Sequence, residues 1–173
     1  MTASHSPKWT WLLFTVVAVL AADQASKYAV EQLTAQNSIH VLLPGLLNLV
    51  HTRNPGVAFG FLADSESPWV ATLVLLFSGG VMAFLVWLLA AGHAGGRLGR
   101  MGMALILGGA SGNLLDRLLH RSVTDFIDLH LRDHHWYTFN VADSAIVIGA
   151  GLVLIELLRD WRHPSREPDR ENV

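Results

Sequence analysis

The chain has 173 residues, of which 51% are hydrophobic and only 15% are charged. Soluble domains carry about 25% charged residues, so this composition favours a membrane protein. The absence of cysteine excludes disulfides, a thiol nucleophile, a cysteine-ligated zinc and an iron–sulfur cluster. The formal net charge of −2 and the lack of a basic stripe indicate no nucleic-acid partner.

Four apolar runs predict four membrane-spanning helices, at about 9–30, 69–91, 98–119 and 141–161. A span needs about 20 mostly apolar residues, which the second and fourth runs provide outright. The third is rich in glycine, and glycine is common where membrane helices pack closely. We therefore expect an all-α polytopic membrane protein with one membrane-embedded domain over 1–162 and a polar cytoplasmic tail over 163–173.

The first run has two interpretations, a cleaved signal peptide and a retained helix. Lys8 followed by an apolar stretch is compatible with a signal peptide. Asp23, Gln24, Ser26 and Lys27 continue the helical pattern beyond that stretch, which favours a retained helix. Both termini then lie on the same side of the membrane.

Basic residues in short flanking segments predict the orientation. Arg97 and Arg100 follow the second span, and arginines also follow the fourth, so these segments should be cytoplasmic. Segments 31–68 and 120–140 should then face outward. All six tryptophans fall near predicted span ends, as in an aromatic belt.

Segment 37–62 has a pattern unlike that of the helices. Two short apolar runs, 39–43 and 46–51, flank Pro44-Gly45, which is a turn signal. We expect a small extracytoplasmic β-structure on the membrane surface, closed by a glycine-rich turn.

Ionisable residues at membrane depth are costly and usually have a partner or a function. Four groups lie at predicted outward span ends: Asp23 with Lys27; Asn113 with Asp116 and Arg117; Asp125; and Asp143. Each also has a purely structural interpretation. The first is an i,i+4 ion pair, Arg117 is a helix-end anchor, Asp125 is a solvated loop residue, and Asp143 is a helix cap.

Asp125 and Asp143 are more informative as a pair than singly. Eighteen residues separate them, and a short outward segment brings them together if it folds back. Two adjacent carboxylates share a proton near neutral pH. One then takes a proton from water while the other donates a proton to a carbonyl oxygen, which hydrolyses a peptide bond without a metal.

Three other functions are compatible with parts of the sequence. Gly109-Ala110-Ser111-Gly112 matches the serine motif of rhomboid proteases, but the fourth span contains no histidine base. A histidine-rich stretch contains possible metal ligands without a usual zinc spacing, so a wet loop is the preferred interpretation. These residues are His120, His130, Asp133, His134 and His135. A small transporter or channel is the main non-enzyme alternative, although the second span has no ionisable residue.

Five motifs in order resemble the lipoprotein signal peptidase (signal peptidase II) family. They are Asp23-Gln24-x-Ser26-Lys27, Asn54-x-Gly56-x-Ala58-Phe59, Gly108-Gly109-x-x-Gly112-Asn113-x-x-Asp116-Arg117, Val123-x-Asp125-Phe126 and Phe139-Asn140-x-Ala142-Asp143. They cover most of the chain, and no departure removes a functional residue of the family.

The resemblance implies an aspartic endopeptidase of the bacterial inner membrane with four spans, cytoplasmic termini, and an active site at the outer face. Its substrates are prolipoproteins whose cysteine carries diacylglycerol, and the cut falls just before that cysteine. The catalytic dyad maps onto Asp125 and Asp143, with Asp23 and Lys27 as a structural flank. Substrate-binding or supporting positions are Asn54, Gly56, Asn113, Asp116, Arg117 and Asn140. No cofactor or metal is implied, membrane lipids surround the site, and globomycin is the expected inhibitor. We also expect an amphipathic lid around 59–68.

Overall fold

The structure is a computed structural model that describes residues 9–55, 68–93, 95–132 and 134–162. Gly56, Asp133, most of the expected lid at 59–68 and the tail at 163–173 lie outside the described residues. The elements, in chain order, are α1 (Thr10–Leu33), β1 (Ile39–Leu43), β2 (Leu47–Asn54), α2 (Pro68–Ala90), α3 (Arg97–His120), β3 (Val123–Leu131), β4 (His134–His135) and α4 (Val141–Arg162). The four long helices occupy the four predicted apolar runs.

Three of the helices, α1, α2 and α4, are long and apolar enough to cross a membrane by length and composition. Their surfaces support that assignment, because large apolar side chains on them are more than half exposed. Examples are Leu73, Phe77 and Phe84 on α2 and Ile148 and Leu157 on α4. Exposed apolar surface on this scale is typical of contact with lipid. The protein is therefore a multi-pass membrane protein.

Helix α3 is less apolar because it packs against the other three helices. Its buried face consists largely of glycine, with Asn113 and Asp116 near its end. A Cβ at Gly102 would lie 2.5 Å from the carbonyl oxygen of Gly149 on α4, so only glycine permits this approach. The low hydropathy of α3 therefore reflects its burial against the other helices.

Helix α1 runs without a break through Asp23 and Lys27 to Leu33. This confirms that the polar residues continue the helix. The apolar core lies between α1, α2 and α3, where Leu12, Leu89 and Leu107 are buried.

The outer segments form an antiparallel sheet in the order β1-β2-β3-β4. The expected β-structure is confirmed: its two apolar runs pair as an antiparallel hairpin of β1 and β2, with Gly45 at φ +76° in the turn between them. Strands β3 and β4 were not predicted, because segment 120–140 was treated as an outward connection. Strand β3 begins Val123-Thr124-Asp125-Phe126-Ile127, and its β-branched and aromatic residues favour a strand.

Candidate active site

Asp125 lies on β3 and is only 2% exposed, so its interpretation as a solvated loop residue is wrong. Both of its oxygens accept hydrogen bonds from amides. Asn140 Nδ2 donates to Oδ1 at 2.8 Å, and Asn54 Nδ2 donates to Oδ2 at 3.1 Å. Asn54 ends the neighbouring strand β2, so the β2–β3 pairing places its amide beside this carboxylate.

Asp143 lies in the first turn of α4, where it also caps the helix. Asn140 Oδ1 accepts the Asp143 backbone N–H at 2.9 Å, and Asp143 Oδ2 accepts the Asn140 N–H at 3.2 Å. This is a reciprocal capping box. The second oxygen, Oδ1, accepts Asn113 Nδ2 at 2.8 Å. Asp143 therefore caps α4 and also accepts a hydrogen bond from α3.

Asn140 is fully buried and joins the two aspartates. Its amide nitrogen binds Asp125, and its amide oxygen binds the Asp143 backbone. Burial, followed by repulsion from the charge of Asp143, raises the pKa of Asp125 to about 7. Hydrogen bonds from Asn54 and Asn140, and the positive charge of Lys27, oppose that rise in pKa. Asp125 thus exchanges a proton close to neutral pH.

Lys27 forms a buried charge network beneath the dyad. Its ammonium group lies 2.8 Å from an oxygen of Asp23 and 2.8 Å from one of Asp116, and it donates to Asn113 Oδ1 at 3.1 Å. The side chain is 4% exposed, so the surface ion pair considered from the sequence understates its role. Lys27 links α1 to α3, and Asn113 carries that link to Asp143.

Asp23 and Asp116 connect the helices to the site. Asp23 Oδ1 accepts the backbone N–H of Ala142 at 2.9 Å, which satisfies a free donor at the start of α4. Asp116 accepts from Gln24 Nε2 at 2.8 Å and from the Thr124 backbone at 3.4 Å. The carboxylates of this flank therefore hold α1, α3, β3 and α4 together.

Arg117 extends the site on α3. Its Nη1 donates to the Asn113 carbonyl at 3.2 Å, so these two residues share a face as predicted. The guanidinium group also interacts electrostatically with Asp143, Asp125 and Asp116. A cation held beside the dyad is suited to binding a substrate carbonyl or a lipid phosphate.

A second group of residues was missed by the sequence analysis. Glu31 Oε1 accepts from Thr124 Oγ1 at 2.7 Å and from Arg53 at 2.9 Å. It therefore ties α1 to both β2 and β3 next to Asp125. The signal was present in the sequence, because Asp23, Lys27 and Glu31 recur every four residues along one face of α1.

The competing sites take different positions in the structure. Helices α1 and α4, which pack against the Ser111 helix α3, contain no histidine, so a serine–histidine pair has no support. Asp128, His130 and His135 converge on the β3–β4 hairpin, whereas His120 and His134 are exposed. His130 lies on β3 and its side chain is only 8% exposed, so the expected wet loop is wrong for His130.

The protein is a polytopic membrane protein with two carboxylates, buried Asp125 and half-buried Asp143, bridged by Asn140 where α1 and α3 end and α4 begins. The family model described as signal peptidase (SPase) II matches residues 15–159. The chain belongs to the signal peptidase II family.

Relatives and solved structures agree with that assignment. A "Lipoprotein signal peptidase" of Solibacter usitatus is 43% identical over 160 residues, covering 92% of this chain and 98% of the relative. One from Salmonella typhi is 44% identical over 149 residues, covering 86% and 87% respectively. A bacterial membrane enzyme solved by the in meso method at 2.3 Å resolution superposes with a TM-score of 0.77 at 28% identity. The match covers 94% of each chain.

Proposed function

We propose that this protein is an aspartic endopeptidase that removes the signal peptide from diacylglyceryl-modified prolipoproteins, cleaving just before the lipidated cysteine. The observation that carries the proposal is the pair of acidic side chains, Asp125 and Asp143, joined through one buried asparagine. The names of the relatives supply the substrate class.

Hydrolysis by this pair needs one carboxylate and one carboxylic acid. The ionised member takes a proton from a water molecule, whose oxygen attacks the scissile carbonyl carbon, while the protonated member donates its proton to the carbonyl oxygen. Collapse of the tetrahedral intermediate breaks the C–N bond, and the amine leaves with a proton returned by the pair. The pKa of Asp125 near 7 keeps that proton available at neutral pH. The two ionisations belong to the pair because the groups are coupled.

The surrounding amides orient the pair. Every carboxylate oxygen of the dyad accepts a hydrogen bond, from Asn54, Asn113 or Asn140. Arg117 then binds either a carbonyl group of the substrate or the phosphate of a neighbouring lipid. We extend a substrate-binding role to Gly56 on the strength of its motif.

We also propose four spans, cytoplasmic termini and an active site at the outer face of the bacterial inner membrane. Helix α3 has 24 residues, which extends about 36 Å at 1.5 Å per residue, enough to cross the hydrocarbon core. The dyad lies where α1 and α3 end and α4 begins, whereas Arg97, Arg100 and Arg159 lie towards the opposite ends of their helices. Basic residues favour the cytoplasmic side, so the dyad faces outward.

The substrate assignment is tested with two matched prolipoproteins that differ only in whether the cysteine carries diacylglycerol. We expect the purified protein to cut the modified form, with mass spectrometry placing the new N-terminus at the lipidated cysteine. Globomycin should prevent the cut. Equal cleavage of both forms, or a cut elsewhere, would refute the proposed specificity.

The expected lid around 59–68 has its own test. A crosslink between that segment and the sheet should stop turnover, and reversal of the crosslink should restore it. Unchanged turnover with the crosslink in place would remove the lid from the account.

A further inference from the structure

The hairpin formed by β3 and β4 carries a carboxylate and two imidazoles on one face. Asp128 and His130 are two positions apart on β3, and His135 pairs with His130 across the hairpin. Alternate residues of a strand share a face, so the three side chains lie together. One ligand atom from each falls within 4.8 Å of the other two.

The distances between these groups suit a small divalent ion. Asp128 Oδ1 lies 2.9 Å from His135 Nδ1, and Asp128 Oδ2 lies 3.9 Å from His130 Nδ1. Two nitrogen or oxygen ligands of a tetrahedral zinc ion, each about 2.0–2.1 Å from the metal, are about 3.3 Å apart. The observed spacings lie on either side of that value, so small side-chain rotations place all three groups around one ion.

His130 provides an independent indication of a ligand. Its side chain is only 8% exposed, and among the described residues Nδ1 has no hydrogen-bond partner. Its ring stacks on that of His135 with centroids 4.7 Å apart, so the two imidazoles lie close enough to bind the same ion. A buried ring nitrogen without a hydrogen bond destabilises the fold, and a metal ion bound at that nitrogen removes the defect.

The carboxylate is already held in place from β2. Asn48 Nδ2 donates to Asp128 Oδ2 at 2.8 Å, and both residues are buried. Metal ligands are usually oriented by such outer hydrogen bonds. His135 is 54% exposed on its side chain, which gives an ion access from solvent.

We propose that Asp128, His130 and His135 form a binding site for one divalent transition-metal ion, with water completing the coordination. Two imidazoles and one carboxylate suit zinc and its neighbours better than magnesium or calcium, which prefer oxygen ligands throughout. The site shares no residue with the aspartate dyad, so its role is structural. Phe139 pairs with Ile127 on β3, so an ion that stabilises the hairpin also stabilises the strand-to-helix segment leading to Asn140.

The test uses the full chain without an affinity tag, stripped with a chelator and titrated with zinc chloride by calorimetry. We expect one saturable equivalent, a higher thermal unfolding midpoint with zinc, and cobalt spectra typical of nitrogen and oxygen ligands. His130→Asn, His135→Asn and Asp128→Asn should each weaken binding at least tenfold. His120→Asn, an exposed histidine outside the hairpin, is the matched control and should bind as the wild type does.

Two outcomes would overturn the site. The first is the absence of a saturable equivalent, which leaves only the hydrogen bond between His135 and Asp128. The second is equal zinc affinity in wild type and the three ligand variants. His135→Asn keeps the test decisive if a buried variant fails to fold, because its exposed side chain can be replaced without opening the core.

Discussion

Asn140 performs two functions that substitution can separate. Its amide oxygen caps α4 by accepting the Asp143 N–H, and its amide nitrogen binds Asp125. Asn140→Ala removes both functions. Asn140→Ser keeps a capping oxygen, since serine is also a favoured N-cap, but leaves no donor at the position of the amide nitrogen.

The magnitudes follow from the cap and from the bond to Asp125, which is the shortest bond of the amide nitrogen. That nitrogen also lies 3.2 Å from Asn113 Oδ1 and 3.4 Å from the Thr124 carbonyl oxygen, and both variants lose these longer contacts. Loss of a helix cap destabilises a protein by about 1 kcal/mol. Loss of a hydrogen bond to a charged group costs about 1.5–3 kcal/mol. Asn140→Ala should therefore lower the free energy of unfolding by about 2.5–4 kcal/mol, and Asn140→Ser by about 1 kcal/mol less. Unfolding in detergent, followed by circular dichroism, measures the difference.

The pH dependence of kcat/KM tests the link to Asp125. The Asn140 amide stabilises the ionised carboxylate and so lowers its pKa, which means that its removal raises the pKa above about 7. Both variants should therefore show a basic limb displaced to higher pH, together with reduced kcat. An unchanged limb in Asn140→Ser, or a limb displaced to lower pH, would refute the reasoning.

Three further changes have calculable results. Lys27→Met leaves buried carboxylates without their cation and should destabilise the protein by about 3–5 kcal/mol in thermal unfolding. Gly102→Ala places a methyl group against the Gly149 carbonyl and should cost about 1–3 kcal/mol, whereas Gly79→Ala, at an open position, should not destabilise. The folded pKa of Asp125 lies above the usual 3.8, so its contribution to stability should fall as pH rises from about 4 to about 7, on the order of 4 kcal/mol. Asp125→Asn should remove that part of the pH dependence.

Each of these has a result that contradicts it. Wild-type stability in Lys27→Met would show that its carboxylates are neutral or hydrated. Equal unfolding midpoints for the two glycine variants would show that α3 and α4 can separate without cost. If the stability of Asp125→Asn depended on pH as that of wild type does, the titrating group would be another residue.

The sequence predicted the helices well because an apolar run of span length is a local property, clearest in the second and fourth runs. The β-structure of β1 and β2 was also predicted, because Pro44-Gly45 marks the turn between their apolar runs. Strand β3 was missed because it pairs with β2, and neither its partner nor its register is visible in residues 123–131. The extent of the sheet is therefore a tertiary property.

The candidate site divides in the same way. Family motifs indicated Asp125, Asp143 and Asn140, but no motif shows that one asparagine binds both aspartates. Glu31 was missed because a carboxylate near a helix end resembles any solvated residue until its partners are known. Residue types at fixed spacing predict chemistry, whereas hydrogen-bond partners depend on how distant elements pack.

The most direct test of the central claim is cleavage of a diacylglyceryl-modified prolipoprotein by wild type, Asp125→Asn and Asp143→Asn. Asp160→Asn, an exposed position towards the far end of α4, is the matched control. Both carboxylate oxygens of each aspartate accept a hydrogen bond, so asparagine at either position places its NH2 group against an existing donor. The unfolding midpoint of each dyad variant is therefore measured as well. We expect wild type and the control to cut, and both folded dyad variants not to cut. Cleavage by either folded dyad variant at the wild-type rate would contradict this expectation.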